Sequence, residues 1–205
     1  MNVFIDLYSG LGGAAAAFDL APNWVTIKID NNEDLIDHNR GMILADITNI
    51  ENTVAIIGAM LDGIITAHGP IEQLVIWASP PCNQFSFANA QRNPDEFDLS
   101  CLDAAQEIIE IFSPSTWIIE NVKGAQEIFD EELTFTTKQI LGSQYLWGNF
   151  PLIPIMDRAA FKADKKMKAK GSRKLRPNYR AIIPWSISDG LRTTLDYQRR
   201  LTDME

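Results

Sequence analysis

Leu-Val-Ile-Trp-Ala-Ser-Pro-Pro-Cys-Asn-Gln-Phe-Ser, residues 74–86, is the stretch that decides the fold of this chain. Its apolar first half is typical of a buried parallel strand, which must end at Pro80 and Pro81 because proline cannot continue a sheet. Cys82 follows at once. We therefore expect its thiol just beyond the carboxyl end of a strand, where open α/β sheets bind ligands. The alternative is a cysteine packed in the core, which is the usual environment of this residue.

A glycine-rich stretch, Asp-Leu-Tyr-Ser-Gly-Leu-Gly-Gly at residues 6–13, overlaps the end of the predicted first strand, Asn2–Leu7. Glycines permit positive φ and remove the Cβ that would keep a ligand away from the backbone. There is no P-loop lysine, and the spacing is not that of the Rossmann fingerprint. Helix formers follow at Ala14–Phe18. The stretch predicts a strand-to-helix turn in close contact with a ligand, although an ordinary turn also accounts for the glycines alone.

Acidic residues stand at the ends of two more predicted strands, namely Asp30 and Glu120. Asp30 closes the strand Trp24–Asp30 and can either accept hydrogen bonds from ribose hydroxyls or cap a following helix. Asn121 directly follows Glu120. Because parallel strands end at one edge of a sheet, we expect these side chains to share that edge with Cys82.

The remaining pattern predicts an α/β domain. The other predicted elements are helices at Thr53–Ala67 and Leu102–Phe112, a hairpin of Thr134–Ile140 with Gln144–Phe150, and a C-terminal helix with Ile187, Leu191 and Leu195 on one face. The chain has 205 residues, of which 46% are hydrophobic and 22% charged, as expected for one globular domain. Cys82, Cys101 and only two histidines provide neither a zinc site nor a disulfide framework. Without a membrane-length apolar run or a signal segment, we expect a cytoplasmic protein.

Three stretches of this chain resemble, in the same order, the motifs of the cytosine-C5 DNA methyltransferases. They are the octapeptide at residues 6–13, the Pro-Pro-Cys-Asn-Gln-Phe-Ser segment and the triplet Glu120-Asn121-Val122. The resemblance spans residues 3–150 and is closest to the short forms encoded by phages and prophages. It implies a class I S-adenosylmethionine-dependent methyltransferase fold, a doubly wound, mostly parallel sheet with an antiparallel hairpin at one edge. It also implies S-adenosylmethionine as cofactor, DNA as partner, and a bacterial or phage-infected host cell.

The resemblance implies roles for individual residues. Cys82 would add to C6 of a flipped cytosine, Glu120 would be a partly protonated acid at N3, and Asn121 would fix the loop of the glutamate. The cofactor would contact Asp6, Tyr8, Ser9, Gly10, Gly12, Gly13, Asp30, Asp46 and Pro80. The nucleic acid would contact Pro81, Asn83, Ser86, Lys165, Lys166, Lys168, Lys170, Arg173, Lys174 and Arg176. We further expect a positive cleft to lower the pKa of Cys82.

Positive charge is concentrated in one segment. The net charge of −9 argues against a polyanionic partner, but residues 158–180 hold ten of the 18 lysines and arginines and a single acid, Asp164. Such a block is typical of an anion-binding arm, and also of a solvated loop that orders only on a nucleic-acid backbone. We expect a catalytic domain at 1–150, a basic arm with a minimal target-recognition segment at 151–180, and a completing helix at 181–205.

Two alternatives stay open at this point. One branch of the resembled family modifies tRNA, so an RNA cytosine-C5 methyltransferase would have the same scaffold. The second alternative is a catalytically inactive relative that binds nucleic acid. Two departures from the family suggest it: Lys28 stands where the family has a ribose-binding glutamate, and no arginine lies between Arg92 and Arg158 to form the family's Gln-x-Arg-x-Arg motif. Lys138 and Gln144 are the candidates to replace that arginine.

Overall fold

The structure, a computed structural model, describes residues 1–134, 136–155 and 174–202, with side chains described as far as residue 198. Five of the basic residues assigned above to DNA contact, Lys165, Lys166, Lys168, Lys170 and Arg173, lie outside the described residues. Lys174 and Arg176 lie within them.

The described part of the chain forms one seven-stranded sheet in the order β3-β2-β1-β4-β5-β7-β6. The strands are β1 Asn2–Leu7, β2 Trp24–Asp30, β3 Met42–Leu44, β4 Gln73–Ala78, β5 Thr116–Asn121, β6 Thr137–Leu141 and β7 Gln144–Asn149. The first five are parallel to one another, and the β6–β7 hairpin joins β5 in the antiparallel sense. The doubly wound, mostly parallel sheet with a hairpin at one edge is thus confirmed.

Helices cover both faces of the sheet, which is why β1 is buried along its whole length. The helices among the described residues are α1 Ile50–His68, α2 Ser100–Phe112, α3 Gln126–Glu132, α4 Arg176–Ala181 and α5 Trp185–Thr202. One core layer packs Val3, Ile5 and Leu7 against α1, α2 and α3, and the other packs Phe4 against α5 and the segment after β1. Alternate side chains of β1 therefore pack into two different core layers, one on each face of the sheet.

The predicted helix at Ala14–Phe18 is wrong: a series of turns takes its place. Ser188 of α5 explains the difference, because its hydroxyl donates to the carbonyl of Ala14 at 2.6 Å and accepts the amide of Ala17 at 3.0 Å. A side chain inserted into the backbone in this way interrupts the regular helical hydrogen bonds. The segment is consequently fastened to the C-terminal helix rather than to itself.

Helix α1 begins earlier than predicted because Asn49 caps it, accepting the amide of Asn52. By length and composition alone, α1 is the one helix in the described ranges that could cross a membrane, with a mean hydropathy of 1.4. Its buried side chains, including Ile57, Leu61 and Ile64, belong to the core layer beneath the sheet. The buried apolar side chains of α1 therefore pack in the protein core with those of the β-strands.

Candidate active site

The site lies along the edge where the five parallel strands end. The glycine loop, residues 8–13, follows β1, and the nucleophile loop, residues 79–98, follows β4. Asp30 ends β2, and Asp46 comes two residues after β3. Glu120 is the next-to-last residue of β5. Since β1, β4 and β5 are adjacent, the glycine loop, Cys82 and Glu120 come from neighbouring strands. This is the position at which open α/β sheets bind ligands.

Cys82 is half-buried at the start of a tight turn, and its carbonyl accepts the amides of Phe85 at 3.1 Å and Ser86 at 3.0 Å. Burial, and after it the charge of Glu120, raise the pKa of the Cys82 thiol. The expectation that a positive cleft lowers this pKa is therefore wrong for the protein without nucleic acid. Glu120 acts on this thiol because β5, which carries the carboxylate, pairs with β4, which leads into the Cys82 turn.

Asn121 joins the two loops that carry these groups. Its side-chain amide donates to the carbonyl of Pro80 at 3.0 Å and its oxygen accepts the amide of Val122 at 2.9 Å. Asn121 is 1% exposed and Glu120 is 8% exposed, so both side chains lie within the protein rather than on its surface. The backbone just before the cysteine is thereby held against the end of β5.

The glycine loop is shaped by close backbone approaches. Gly12 has a φ of +74°, and a Cβ there would lie 2.7 Å from the side-chain oxygen of Asn39. Asn39 donates to the Ser9 hydroxyl and to the carbonyl of Gly10, both at 3.1 Å. A Cβ on Gly13 would meet the backbone oxygen of Ile183 at 2.6 Å. Asn39 was missed by the sequence analysis because it lies in no motif.

Two acids support the loop. Asp30 accepts the amide of Gly10 at 2.8 Å and that of Asn32 at 2.9 Å, while Asn32 itself caps the following turn. The alternative of Asp30 as the helix cap is therefore wrong. Asp6 is 1% exposed and accepts the amide of Ala15, so it lies beneath the loop rather than on it. Burial raises the pKa of Asp6 to about 8 against the opposing charge of Lys28.

Lys28 does not stand at the ligand-facing edge. It is 5% exposed inside β2, opposite Asp6 of β1, and its ammonium binds the carboxylate of Asp19 at 2.8 Å. Asp46, by contrast, is exposed past the end of β3 and accepts the amide and hydroxyl of Thr48. Lys28 therefore forms an ion pair with Asp19 beneath the glycine loop, whereas Asp46 lies at the strand edge.

Tyr8 links the glycine loop to α2. It adopts a φ of +59°, unusual for a residue with a side chain, and its hydroxyl donates to the carbonyl of Cys101 at 2.8 Å. Burial raises the pKa of Tyr8. Beside this contact is a cavity of about 220 Å³, lined by Pro80, Pro81, Asn83, Gln84, Phe85, Asp98, Cys101 and Leu102. Its described lining includes neither Cys82 nor Glu120.

A family model described as C-5 cytosine-specific DNA methylase matches residues 3–143. The chain belongs to this family. The resemblance drawn from the three motifs is thus confirmed. No curated protein matches the chain. A solved E. coli structure, described as a DNA modification methyltransferase encoded within a prophage, shares 18% identity with it over 73% of this chain and 47% of that one, with a TM-score of 0.44. The chain spans about half the length of that protein.

Other residues to which the methylase resemblance gave a role are distributed as follows. Pro81 and Asn83 are exposed on the nucleophile loop and Ser86 is half-buried there. Lys174 is exposed and its ammonium lies 2.6 Å from the carboxylate of Asp34, while Arg176 begins α4. No group of three or more His, Cys, Asp or Glu side chains in the described ranges could hold a metal ion.

The candidates for the missing arginine of the methylase motif are engaged in the hairpin. The ammonium of Lys138 lies 2.7 and 2.6 Å from the two carboxylate oxygens of Asp130. Trp147 also donates to Asp130, at 2.7 Å. Gln144 is 4% exposed, and its oxygen accepts the hydroxyl of Ser143. Lys138 is therefore committed to a contact outside the Cys82 loop.

Proposed function

We propose that the chain transfers a methyl group from S-adenosylmethionine to C5 of cytosine in DNA through a covalent bond between Cys82 and C6. The observation that carries this proposal is geometric: Cys82 and Glu120 belong to neighbouring strand ends, β4 and β5, and the side chain of Asn121 joins the two by donating to the carbonyl of Pro80 at 3.0 Å. Membership of the C-5 cytosine-specific DNA methylase family supports the choice of reaction.

The strand ends fit a nucleoside cofactor. A Cβ placed on Gly10 would meet no described atom within 4 Å, so space is open beside the first glycine of the loop. Asp30 and Asp46, at the ends of β2 and β3, offer carboxylate acceptors suited to ribose hydroxyls and an adenine amino group. When bound, S-adenosylmethionine supplies an electrophilic methyl group. The residues that would hold it are the glycine loop, these two acids and Pro80.

Cys82 performs the activating step. C5 of cytosine is a weak nucleophile until a thiolate adds at C6, which turns the ring into an enamine. Glu120 protonates N3, or hydrogen-bonds to it, as the C6 bond forms and takes the proton back afterwards. Once C5 carries the methyl group, loss of the C5 proton to water expels Cys82 and restores the aromatic ring. The released thiolate takes up a proton from water, as the Cys82 thiol gave one to water before the attack, and the protein ends as it began.

Glu120 also affects how readily Cys82 loses its proton. Two nearby groups that both become anionic oppose each other, so the thiolate is disfavoured while Glu120 is charged. When Glu120 holds a proton against N3 of the base, that opposition is absent. Binding of the pyrimidine and formation of the thiolate are therefore favourably linked, and the free enzyme is protected from adventitious alkylation.

DNA is the proposed partner, and the target base must leave the stack before Cys82 can reach C6. Flipping costs a few kcal/mol, which binding has to supply. Lys174, Arg176 and Arg180 are the described cations of the basic arm, and exposed cations of this kind contact phosphates without reading sequence. We therefore propose a short target sequence and binding that weakens steeply with salt.

The test is methyl transfer from tritiated cofactor to duplex DNA, single-stranded DNA and tRNA, followed by trapping with 5-fluorocytosine in the preferred substrate. Wild type and the matched control Cys101→Ser are expected to label duplex DNA and to form an adduct that resists denaturant. Cys82→Ala is expected to do neither. Methylation that survives Cys82→Ala would overturn the mechanism, and labelling of tRNA alone would replace DNA with RNA as the substrate.

A further inference from the structure

Arg92, a residue of the nucleophile loop, reaches across to the loop that follows Glu120. Its Nε donates to the carbonyl of Phe85 at 3.1 Å, and one terminal nitrogen donates to the carbonyl of Gly124 at 3.3 Å. The first acceptor lies three residues after Cys82 and the second lies four residues after Glu120. One guanidinium group therefore bridges the backbones that carry the two groups of the proposed reaction.

The two backbones touch where Arg92 bridges them. A Cβ on Gly124 would overlap the carbonyl oxygen of Phe85, so only glycine allows this approach. Phe85 is 2% exposed, with its ring 5.3 Å from that of Phe129 in α3. The contact between the loops is consequently anchored in the core, and its geometry leaves little room for sliding.

The guanidinium is also held in place by aromatic rings. Its central carbon lies 4.9 Å from the ring centre of Phe87 and 5.2 Å from that of Phe97. Arginine suits this position because its planar fork can stack on rings while donating to two fixed acceptors, which an ammonium group cannot reproduce. Phe87 is itself a residue of the nucleophile loop and is 67% exposed, so its ring lies against Arg92 at the protein surface.

Arg92 and Asn121 hold the loop on opposite sides of the nucleophile. Asn121 binds the carbonyl of Pro80, two residues before Cys82, and Arg92 binds the carbonyl of Phe85, three residues after it. At the far end of the loop, Gln84 pairs with both the amide and the carbonyl of Asp98. The Asn121 bond to Pro80 and the Arg92 bond to Gly124 both connect the nucleophile loop to the Glu120 side of the sheet.

We propose that Arg92 is a positioning residue that keeps Cys82 in register with Glu120. The proposal rests on the methyl-transfer function above, and Arg92 acts only through the carbonyls of Phe85 and Gly124. Displacement of a reacting group by about 1 Å can cost about 10²-fold in rate. Loss of the bridge would therefore slow covalent addition while leaving the glycine loop, on the other side of β4, unchanged.

The kinetic test compares Arg92→Ala and Arg92→Lys with Gln91→Ala, a change at the neighbouring exposed position. We expect Arg92→Ala to lower kcat by about 10- to 100-fold, with KM for S-adenosylmethionine changed less than about twofold. Arg92→Lys retains the charge but not the fork, and is expected to recover only part of kcat. Added methylguanidinium is expected to restore activity to Arg92→Ala several-fold. Equal kcat for Arg92→Ala and Gln91→Ala would overturn the proposal.

A second readout separates the position of Cys82 relative to Glu120 from general loosening of the loop. Burial and the charge of Glu120 both raise the pKa of Cys82, so moving the two groups apart lowers that pKa, and lowers it less when Glu120 is already replaced by glutamine. In a Cys101→Ser background, we expect Arg92→Ala to shift the pH profile of Cys82 alkylation by iodoacetamide to lower pH. An unshifted profile would contradict the proposal. This measurement needs no methyl transfer, so it tests Arg92 even if the proposed reaction fails.

Discussion

The glycine loop and the nucleophile loop lie at the same edge of the sheet but are held in different ways. The glycine loop rests on buried groups, with Asp6 below it, Asn39 beside it and the backbone of Ile183 against Gly13. The nucleophile loop is anchored by one buried ring, Phe85, and otherwise by side-chain hydrogen bonds to carbonyls. Substitutions at the first loop should therefore affect folding, and those at the second should affect chemistry.

The largest expected effect belongs to the nucleophile side. Glu120→Gln keeps the shape of the side chain but removes the proton donor and the negative charge. We expect methyl transfer to fall by about 10³-fold, within the range for loss of a general acid. Because the charge of Glu120 raises the pKa of Cys82, the variant should be alkylated faster at neutral pH. Slower alkylation, measured with the Cys101→Ser background as control, would contradict the coupling.

The next largest effect belongs to the glycine side. Gly13→Ala places a Cβ 2.6 Å from the carbonyl oxygen and 2.7 Å from the amide nitrogen of Ile183, neither of which can rotate away. We expect a loss of about 3 kcal/mol in the free energy of unfolding, as for other overpacked sites. Urea denaturation measures it, with Gly58→Ala in α1 as control, where a Cβ meets no described atom within 4 Å. Similar stabilities for the two variants would remove the distinction between the loops.

A pH effect of intermediate size should come from Asp6. Its pKa is about 8 in the folded protein against 3.8 as the ordinary value, so the folded state holds a proton that the unfolded state has lost. Stability is therefore greatest below pH 4 on account of this group and falls as pH rises towards 8. Between pH 6 and 8, wild type should lose about 2 kcal/mol relative to Asp6→Asn. Parallel stability curves for the two proteins would show that Asp6 is charged throughout.

The smallest effect is expected at Lys174, an exposed residue of the basic arm. Its ammonium is exposed and paired with Asp34. If Lys174 contacts phosphate, Lys174→Ala should reduce the slope of log affinity against log salt by about 1. Asp34→Ala is the matched variant and should strengthen DNA binding by freeing the lysine. Salt titrations by fluorescence anisotropy measure both, and a slope unchanged by Lys174→Ala would exclude this residue from the DNA contact.

The sequence predicted what depends on local pattern. The central strands β1, β4 and β5 are largely apolar because both of their faces are covered, and such a run of hydrophobic residues is visible without a structure. Cys82, Glu120 and Asn121 were proposed because they lie in ordered motifs at or just after the ends of such strands. The hairpin at the edge was also predicted, with its boundaries shifted by a few residues.

The features that were missed depend on contacts between distant parts of the chain. The turns at Ala14–Phe18 replace a helix because Ser188, more than 170 residues away, inserts its hydroxyl. Arg92 is one arginine in a polar stretch until Gly124 and Phe85 are brought against each other. The pKa of Cys82 is raised, opposite to expectation, because the thiol is buried and because its charged neighbour is Glu120 and not a cation.

The central claim is that Cys82 and Glu120 act on the same pyrimidine, and the most direct measurement is mass spectrometry of the adduct formed with 5-fluorocytosine duplex DNA and S-adenosylmethionine. The account predicts one methylated fluoropyrimidine attached to the peptide that contains Cys82, and a strongly reduced yield of it in Glu120→Gln. Attachment at Cys101, or methyl transfer to ordinary cytosine with no adduct at all, would contradict it.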